Sequence, residues 1–297
     1  MAKVDSLPVP GPPRAKTLVL DLLSTLRSGS MPVRALVDAG ALFGLEDNGV
    51  RVALARLLAQ GLVERDERGR YRLGAAAGAI ERQVTSWRRL EERLRPWTGS
   101  WIVAHGAPRE GGERGLRRRG ARALRFVGFR ALAPGLALRP DNLAGGVPAA
   151  RETLRGLGLD TAVLIFGARD LEPCVEARAR SLWDVRSLEA GYHAACRALA
   201  RSEARLARLT PGAAMVESFR VGGYAIRQLA LDPLLPDEIC PAAPRDALVA
   251  AMRRYDRLGR AAWAGFRAEH GVRTTRGAQD LRMMEAADTL AAVGGDA

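Results

Sequence analysis

The side chains best suited to chemistry lie on one face of a short predicted helix, residues 46–60, with the sequence EDNGVRVALARLLAQ. Apolar residues recur on it at helical spacing and predict a buried face. They are Val50, Leu54, Leu57 and Leu58. The opposite face carries Asn48, Arg51, Val52, Ala55 and Arg56. Arginine and asparagine can each make paired hydrogen bonds to base edges in the major groove, so this face could read DNA.

The polar residues of this face predict different contacts. Arg51 is the residue we expect to reach a base edge, because arginine pairs with the two major-groove acceptors of guanine. Asn48 could read adenine or could cap the helix. Arg56 lies nearer the edge of the exposed face, where a phosphate is the expected partner. The helix could equally be an ordinary amphipathic helix, and its neighbours decide between these interpretations.

Two helical patterns precede the segment and two strand patterns follow it. Residues 15–26 and residues 33–39 have helical apolar spacing, and Pro32 suits a first helical turn. Gly61 is a typical residue just beyond a helix, and Asp47 is a plausible N-cap. Residues 62–65 and 71–73 predict a hairpin. Three helices followed by a hairpin predict a winged helix-turn-helix whose third helix reads DNA.

The hairpin turn, residues 66–70, is the predicted wing. It carries Arg68 and Arg70. These two side chains could contact a minor groove or phosphates, or they could belong to a merely solvated turn. Phosphate contacts strengthen binding and carry no sequence information.

The whole chain is predicted to be α+β in five parts. Residues 1–14 form a flexible arm, residues 15–74 the winged-helix DNA-binding domain and residues 75–96 a connecting helix, which either dimerises or packs on the next domain. Residues 97–170 have the order β-α-β-β-α-β of a ferredoxin-like domain. Residues 171–297 form a mainly helical C-terminal domain, in which residues 247–270 are predicted to form one helix.

The charge of the chain favours an anionic partner. The 297 residues carry a net charge of +13, and the isoelectric point is about 11.0. Residues 97–166 hold 11 basic and 5 acidic side chains, six of the basic ones on a predicted helix from residue 113 to 127. That arginine face could contact DNA, bind the phosphates of a coenzyme A ligand or simply be solvated. No apolar run is long enough for a membrane span.

The sequence offers no catalytic or metal-binding constellation. His105, His193 and His270 fall in separate segments, and the three cysteines are widely spaced without a CxxC pair. We therefore expect no enzyme activity, cofactor or metal, and reduced, mostly buried thiols in a cytoplasmic protein. The glycine-rich loop 106–112 precedes a helix but has no P-loop lysine, so it predicts a mobile loop rather than a phosphate site.

Four short segments, in order, resemble the PaaX family of bacterial transcriptional regulators. The first joins VRVALARL, residues 50–57, to GLV, residues 61–63. The second joins FVGF, residues 126–129, to LAPGL, residues 132–136. The third and fourth are WDV, residues 183–185, and LDPLLP, residues 231–236. The wing is shorter than in the family, and PAAP, residues 241–244, replaces the usual W-P-G segment.

The resemblance implies a homodimeric repressor of aromatic-acid catabolism, of the phenylacetate type. Such a repressor binds a palindromic operator in double-stranded DNA and leaves it when an aryl-acyl-CoA binds. The departure at residues 241–244 places the identity of that effector in question. An effector pocket would lie between the central and C-terminal domains, where Trp183, Tyr192 and Arg186 are the candidate lining residues.

Two other functions remain open. One is a nucleic-acid-binding protein without small-molecule control. The other is a metal-dependent nuclease that uses the central domain, although the first strand of that domain, residues 101–105, lacks the carboxylate that such an enzyme would want.

Overall fold

The computed structural model describes residues 11–26, 29–78, 85–106 and 114–272, without the side chains of residues 86 and 114–117. The fold is mixed α+β with two antiparallel sheets. The chain forms two compact units. The N-terminal unit contains residues 11–78 and the chain from residue 261, and the larger unit contains residues 79–260. Within the described residues, no helix combines the length and apolar character needed to cross a bilayer.

Three helices form the core of the N-terminal unit. They are α1 (Ala15–Ser24), α2 (Val33–Leu42) and α3 (Asp47–Ala59). The predicted apolar spacing is confirmed on α1, where Leu18, Val19, Leu22 and Leu23 are buried. On α3 the buried residues are Val50, Ala53, Leu54 and Leu57, whereas Leu58 is only half-buried. Both α1 and α2 pack against α3, so burial of this apolar stripe fixes which side of α3 remains exposed.

A three-stranded antiparallel sheet flanks these helices. It contains β1 (Met31–Pro32), β2 (Val63–Arg65) and β3 (Arg70–Leu73) in the order β1-β3-β2. The sequence predicts β2 and β3, but β1 is too short to give an alternating pattern. In β1, Met31 pairs with Tyr71, and Pro32 pairs with Arg70 immediately before α2 begins. Pro32 therefore precedes the helix instead of occupying its first turn.

Gly61 ends α3 and directs the chain into the hairpin. Its φ of +63° lies in the left-handed region that favours glycine. The Gly61 amide donates to the carbonyl of Leu58 at 2.9 Å, and the Leu62 amide donates to that of Leu57 at 3.0 Å. This pair of bonds is a Schellman motif, as the glycine predicts.

The described part of residues 75–96 is not one continuous α-helix. It consists of two 3-10 helices, Ala75–Ala77 and Ser86–Arg89, and of α4 (Leu90–Arg93). Residues 79–84 of the predicted connecting helix lie outside the described residues, as do residues 1–10 of the predicted arm and the tail from residue 273. The apolar spacing predicts which residues are buried, Trp87 and Leu90 among them, but not the tighter 3-10 winding.

The larger unit contains a four-stranded antiparallel sheet with two helices between its strands. In chain order the elements are β4 (Trp101–His105), α5 (Arg114–Phe126), β5 (Arg130–Ala133), β6 (Leu136–Pro140), α6 (Gly146–Gly156) and β7 (Leu164–Ala168). The strands lie in the order β5-β6-β4-β7. Ile102 and Ala104 on β4 pack with Phe129, Leu154 and Ile165 in one core cluster. The glycine-rich loop that precedes α5 is described only at Gly106.

The rest of the larger unit is helical. Its helices are α7 (Pro173–Arg180), α8 (Val185–Leu206), α9 (Pro211–Ala230) and α10 (Ala243–Ala262). The helix predicted for residues 247–270 is divided, because the chain turns at Trp263 before α11 (Ala264–Glu269). Residues from 261 group with the N-terminal unit, whereas the predicted boundaries assign them to the C-terminal domain.

Three segments of the larger unit, residues 126–136, 183–185 and 231–236, meet in space. The Trp183 indole Nε1 donates to the carbonyl oxygen of Gly128 at 3.2 Å. A Cβ on Gly128, whose φ is +92°, would lie 2.9 Å from the Pro233 carbonyl oxygen. Leu132, Leu136, Trp183 and Leu235 share a core cluster. These segments, distant in sequence, therefore form one packing centre, and Gly128 is required there by close backbone approach.

Arg139 connects the strands to this centre. Its side chain is 1% exposed. Its guanidinium donates to the carbonyl oxygens of Val127, Pro140 (3.1 Å) and Pro233 (3.3 Å) and to Asn142 Oδ1 (3.0 Å). Asn142 Nδ2 in turn donates to the carbonyl of Leu234 at 2.7 Å. Burial lowers the pKa of Arg139 to about 9, so the guanidinium stays charged at neutral pH.

We predict that Arg139→Met will lower the free energy of unfolding by about 3 kcal/mol or more, because it leaves several buried acceptors without a donor. Arg118→Met, which removes an exposed arginine, is the matched control and should change stability by less than about 0.5 kcal/mol. Urea denaturation followed by circular dichroism measures both. Equal stability of the two variants would contradict the bracing role of Arg139.

Candidate nucleic-acid interface

The exposed face of α3 carries the five side chains that the sequence selects. Asn48, Arg51, Val52, Ala55 and Arg56 are all exposed, and Val52 retains 40% of its surface. An exposed face of small and polar residues opposite a buried apolar stripe is compatible with close approach to another macromolecule. The structure therefore places the predicted reading residues on one accessible surface, which we call the α3 face.

Arg51 has an intramolecular partner on the α3 face. Its Nε donates to Asp47 Oδ1 at 2.5 Å, and its Nη2 lies 3.3 Å from Asp47 Oδ2. Both side chains are more than half exposed, so water screens their charges and the ion pair is weak. The hydrogen bond that Arg51 donates to Asp47 raises the pKa of Arg51, which keeps its charge. This contact positions the guanidinium and leaves it free to exchange the carboxylate for a base or a phosphate.

The capping roles predicted near the start of α3 are corrected by the structure. Glu46 occupies the N-cap position without a side-chain capping bond, and Asp47 is the first helical residue. Asn48 lies within the helix, and its side chain makes no hydrogen bond to any described residue. Of its two predicted roles, the structure therefore favours an outward-facing side chain over a helix cap.

The wing turn is held together by Asp66. Its Oδ1 accepts from the backbone amides of Arg68 (3.0 Å) and Arg70 (2.8 Å), and its own amide donates to the carbonyl of Arg70 at 2.9 Å. This arrangement satisfies the turn internally and leaves the Arg68 side chain exposed, without an ion pair to the described residues. Arg68 is thus available to an external anion.

Arg70 has a different role from the predicted phosphate contact. Its Nε donates to Ser30 Oγ at 2.8 Å, and its Nη2 donates to the carbonyls of Ser30 (2.7 Å) and Gly271 (2.9 Å). Its guanidinium is therefore occupied within the N-terminal unit, where it joins the hairpin to the segment before α2 and to the chain after α11. A turn sequence gives no sign of partners 40 and 201 residues away.

Two further arginines of the hairpin are absent from the sequence-based selection. Arg65 is exposed and its guanidinium carbon lies 5.9 Å from the centre of the Tyr71 ring. Arg72 is exposed and pairs across the hairpin with Glu64 at 2.9 Å. Their position on strands adjoining the wing could have selected them. The Asp47–Arg51 pair could likewise have been predicted, because residues four apart lie on the same side of a helix.

Other residues singled out by the sequence do not assemble into a site. Among the described residues, no three His, Cys, Asp or Glu side chains are placed to hold one metal ion. His270 contacts Asp38 at 2.9 Å, whereas His105 and His193 are exposed elsewhere. The prediction of mostly buried thiols fails for Cys174, which is exposed, whereas Cys240 is buried and Cys196 half-buried.

The three residues suggested for an effector pocket also have separate environments. Trp183 stacks on Trp101 at 6.3 Å and is 4% exposed, Tyr192 lies beside the carboxylate of Asp232, and Arg186 is exposed. The arginines of α5 whose side chains are described remain on the surface. They are Arg118, Arg119, Arg122 and Arg125.

Comparison with known proteins shows a similar fold and gives no information on function. No protein-family model matches the chain, and no curated protein matches it. Among solved structures, the chain is similar to the uncharacterized protein Rv0674 from Mycobacterium tuberculosis. The two are 26% identical, the match covers 85% of this chain and 98% of that one, and the TM-score is 0.55.

We predict that Arg70→Ala will destabilise the N-terminal unit by about 1–3 kcal/mol, because it removes the donor of three hydrogen bonds, two of them partly buried. Arg68→Ala removes the same charge from the same turn and should leave stability within about 0.5 kcal/mol of the wild type. Hydrogen-exchange mass spectrometry of peptides from residues 29–73 measures the local effect. Equal protection in the two variants would refute the structural role of Arg70.

Proposed function

We propose that the protein is a sequence-specific DNA-binding transcriptional repressor. The observation that carries the proposal is the α3 face, which presents Asn48, Arg51 and Arg56 together on an exposed helix. Arginine and asparagine supply the donor patterns that distinguish guanine and adenine in the major groove. A hairpin with an accessible Arg68 follows the same helix and offers a contact to the phosphate backbone.

The proposed architecture follows from the order of elements. Residues 15–74 would be a winged helix-turn-helix, with α3 as the recognition helix in the major groove and the β2–β3 hairpin as the wing. Residues 101–168 would be a ferredoxin-like domain, supported by the β-α-β-β-α-β order and by the strand order β5-β6-β4-β7. DNA contacts are assigned to the first of these domains alone.

The finer part of the proposal rests on the resemblance to the PaaX family. It comprises a cytoplasmic homodimer, a palindromic operator, control of aromatic-acid catabolic genes and release by an aryl-acyl-CoA. The packing centre around Gly128 supports the resemblance in the larger unit, because three of the four similar segments contribute to it. A gel shift on selected DNA, with and without a panel of aryl-acyl-CoA esters, tests release.

The primary experiment is selection of DNA from a random double-stranded pool by the purified full-length protein at 150 mM salt. We predict enrichment of one related set of sequences. Arg51→Ala should then weaken binding to the selected site about tenfold or more and relax the base preference at one position, because a bidentate arginine–guanine contact is lost.

The matched control for Arg51→Ala is Arg257→Ala, which removes an exposed arginine from α10 in the larger unit. It should preserve both the affinity and the base preference. An unenriched pool would contradict sequence-specific binding. Enrichment with an unchanged preference in Arg51→Ala would remove Arg51 from the reading role while leaving the α3 face to Asn48 and Arg56.

We predict a different signature for Arg68→Ala. Loss of a phosphate contact should weaken binding to selected and scrambled DNA alike and reduce the slope of log K against log salt concentration by about 0.9. Fluorescence anisotropy between 50 and 300 mM salt measures that slope. A change confined to the selected sequence would instead assign Arg68 to base reading.

A further inference from the structure

A cavity of about 510 Å³ lies within the larger unit. Its walls come from the α4 region, from the turn around Leu235 and from the first half of α10. Apolar side chains form much of the lining, including Leu90, Trp97, Leu235 and Val249. The volume is in the range of small-molecule sites, and apolar walls with a few polar groups are typical of them.

Arg245 is the buried charged residue of this lining. It is 4% exposed, and its Nη1 donates to the carbonyl oxygen of Leu235 at 3.0 Å. Its Nε makes no hydrogen bond to the described residues, and its contact with the exposed Asp246 carboxylate is an ion pair at 3.8 Å. A buried guanidinium with an unused donor is costly, and a carboxylate is the group that best matches its geometry.

The most deeply buried charged groups beside the cavity are two arginines and one carboxylate. Arg139 and Arg245 are both nearly inaccessible, and the carboxylate buried to a similar extent next to them is Asp232, at 4% exposure. Asp232 already accepts from the Leu234 amide at 2.7 Å and lies beside the Tyr192 hydroxyl. Asp141, whose side chain is 13% exposed, is a second carboxylate near Arg139 and already pairs with Arg95. The other acidic partner of Arg245 is the exposed Asp246 at 3.8 Å, so a bound anion would reduce the cost of burying the Arg245 guanidinium.

The carboxylates that line the cavity do not fill this role. Glu91, Asp237, Glu238 and Asp246 are exposed, so water screens them. Arg253 donates to both oxygens of Glu91 at 2.9 and 3.0 Å, which lowers the pKa of Glu91, and Asp237 accepts from the Ala242 amide at 2.7 Å. The carboxylates are thus at the rim, together with Arg95 and Arg253, whereas Arg245 is buried.

We propose that this cavity binds a small organic carboxylate, with its apolar body against Leu90, Trp97 and Val249 and its carboxylate at Arg245. The site goes beyond DNA binding and does not depend on it. The expected ligand carries one negative charge and a compact hydrocarbon or aromatic group that fits within about 510 Å³.

Isothermal titration calorimetry of the full-length protein without DNA tests the proposal. The probes are hexanoate, octanoate, cyclohexanecarboxylate and benzoate, each beside its neutral primary amide. We expect at least one acid to bind, and we expect the affinity of its amide to be at least tenfold lower. Ala250→Trp, at an exposed position of the lining, should fill the cavity and abolish binding, whereas Ala200→Trp, exposed on α8, should not.

Arg245→Lys keeps the positive charge but loses the forked donor pair, and it should weaken the acid more than the amide. Far-ultraviolet circular dichroism verifies folding of each variant. If the Arg245→Lys variant unfolds, comparison of Ala250→Trp with Ala200→Trp still tests the site. The proposal fails if none of the acids binds, if acid and amide bind equally, or if Ala250→Trp binds like the wild type. Because DNA is absent, these outcomes are independent of the DNA selection.

Discussion

The buried guanidinium of Arg139 is the interaction on which the larger unit most depends. It satisfies the carbonyls of Val127, Pro140 and Pro233 and reaches Leu234 through Asn142. Strand β6, the end of α5 and the turn after α9 are thereby held at one point. The carboxylate of Asp232 lies close enough to interact with both Arg139 and Arg245. The anion site that we propose in the neighbouring cavity uses the second of these arginines.

In the N-terminal unit the governing constraint is burial of one side of α3. Val50, Leu54 and Leu57 are 2% exposed or less, so the helix cannot rotate without exposing its apolar stripe. The opposite side must then face outward, whatever it binds. The Schellman turn at Gly61 sets the direction of the hairpin, and Arg70 fixes that hairpin to Ser30 and to the chain after α11.

Much of this could be predicted from local sequence. Helical spacing identifies α1 and α3 and their buried residues, and Gly61 marks the end of α3. The long-range hydrogen-bond partners could not be predicted from local sequence. Nothing in the sequence near Arg70 indicates Ser30 or Gly271, and nothing near Arg139 indicates Pro233. Strand β1 has two residues, too few for a pattern. The helical apolar spacing continues through Trp263, where the chain turns between α10 and α11.

The central claim is that the α3 face contacts DNA, and photo-crosslinking tests it most directly. A benzophenone amino acid would replace Ala55, in the middle of that face, or Ala200, an equally exposed control on α8. We expect a covalent adduct with bound double-stranded DNA from position 55 and little adduct from position 200. Adducts of equal yield from both positions, or from position 200 alone, would contradict it.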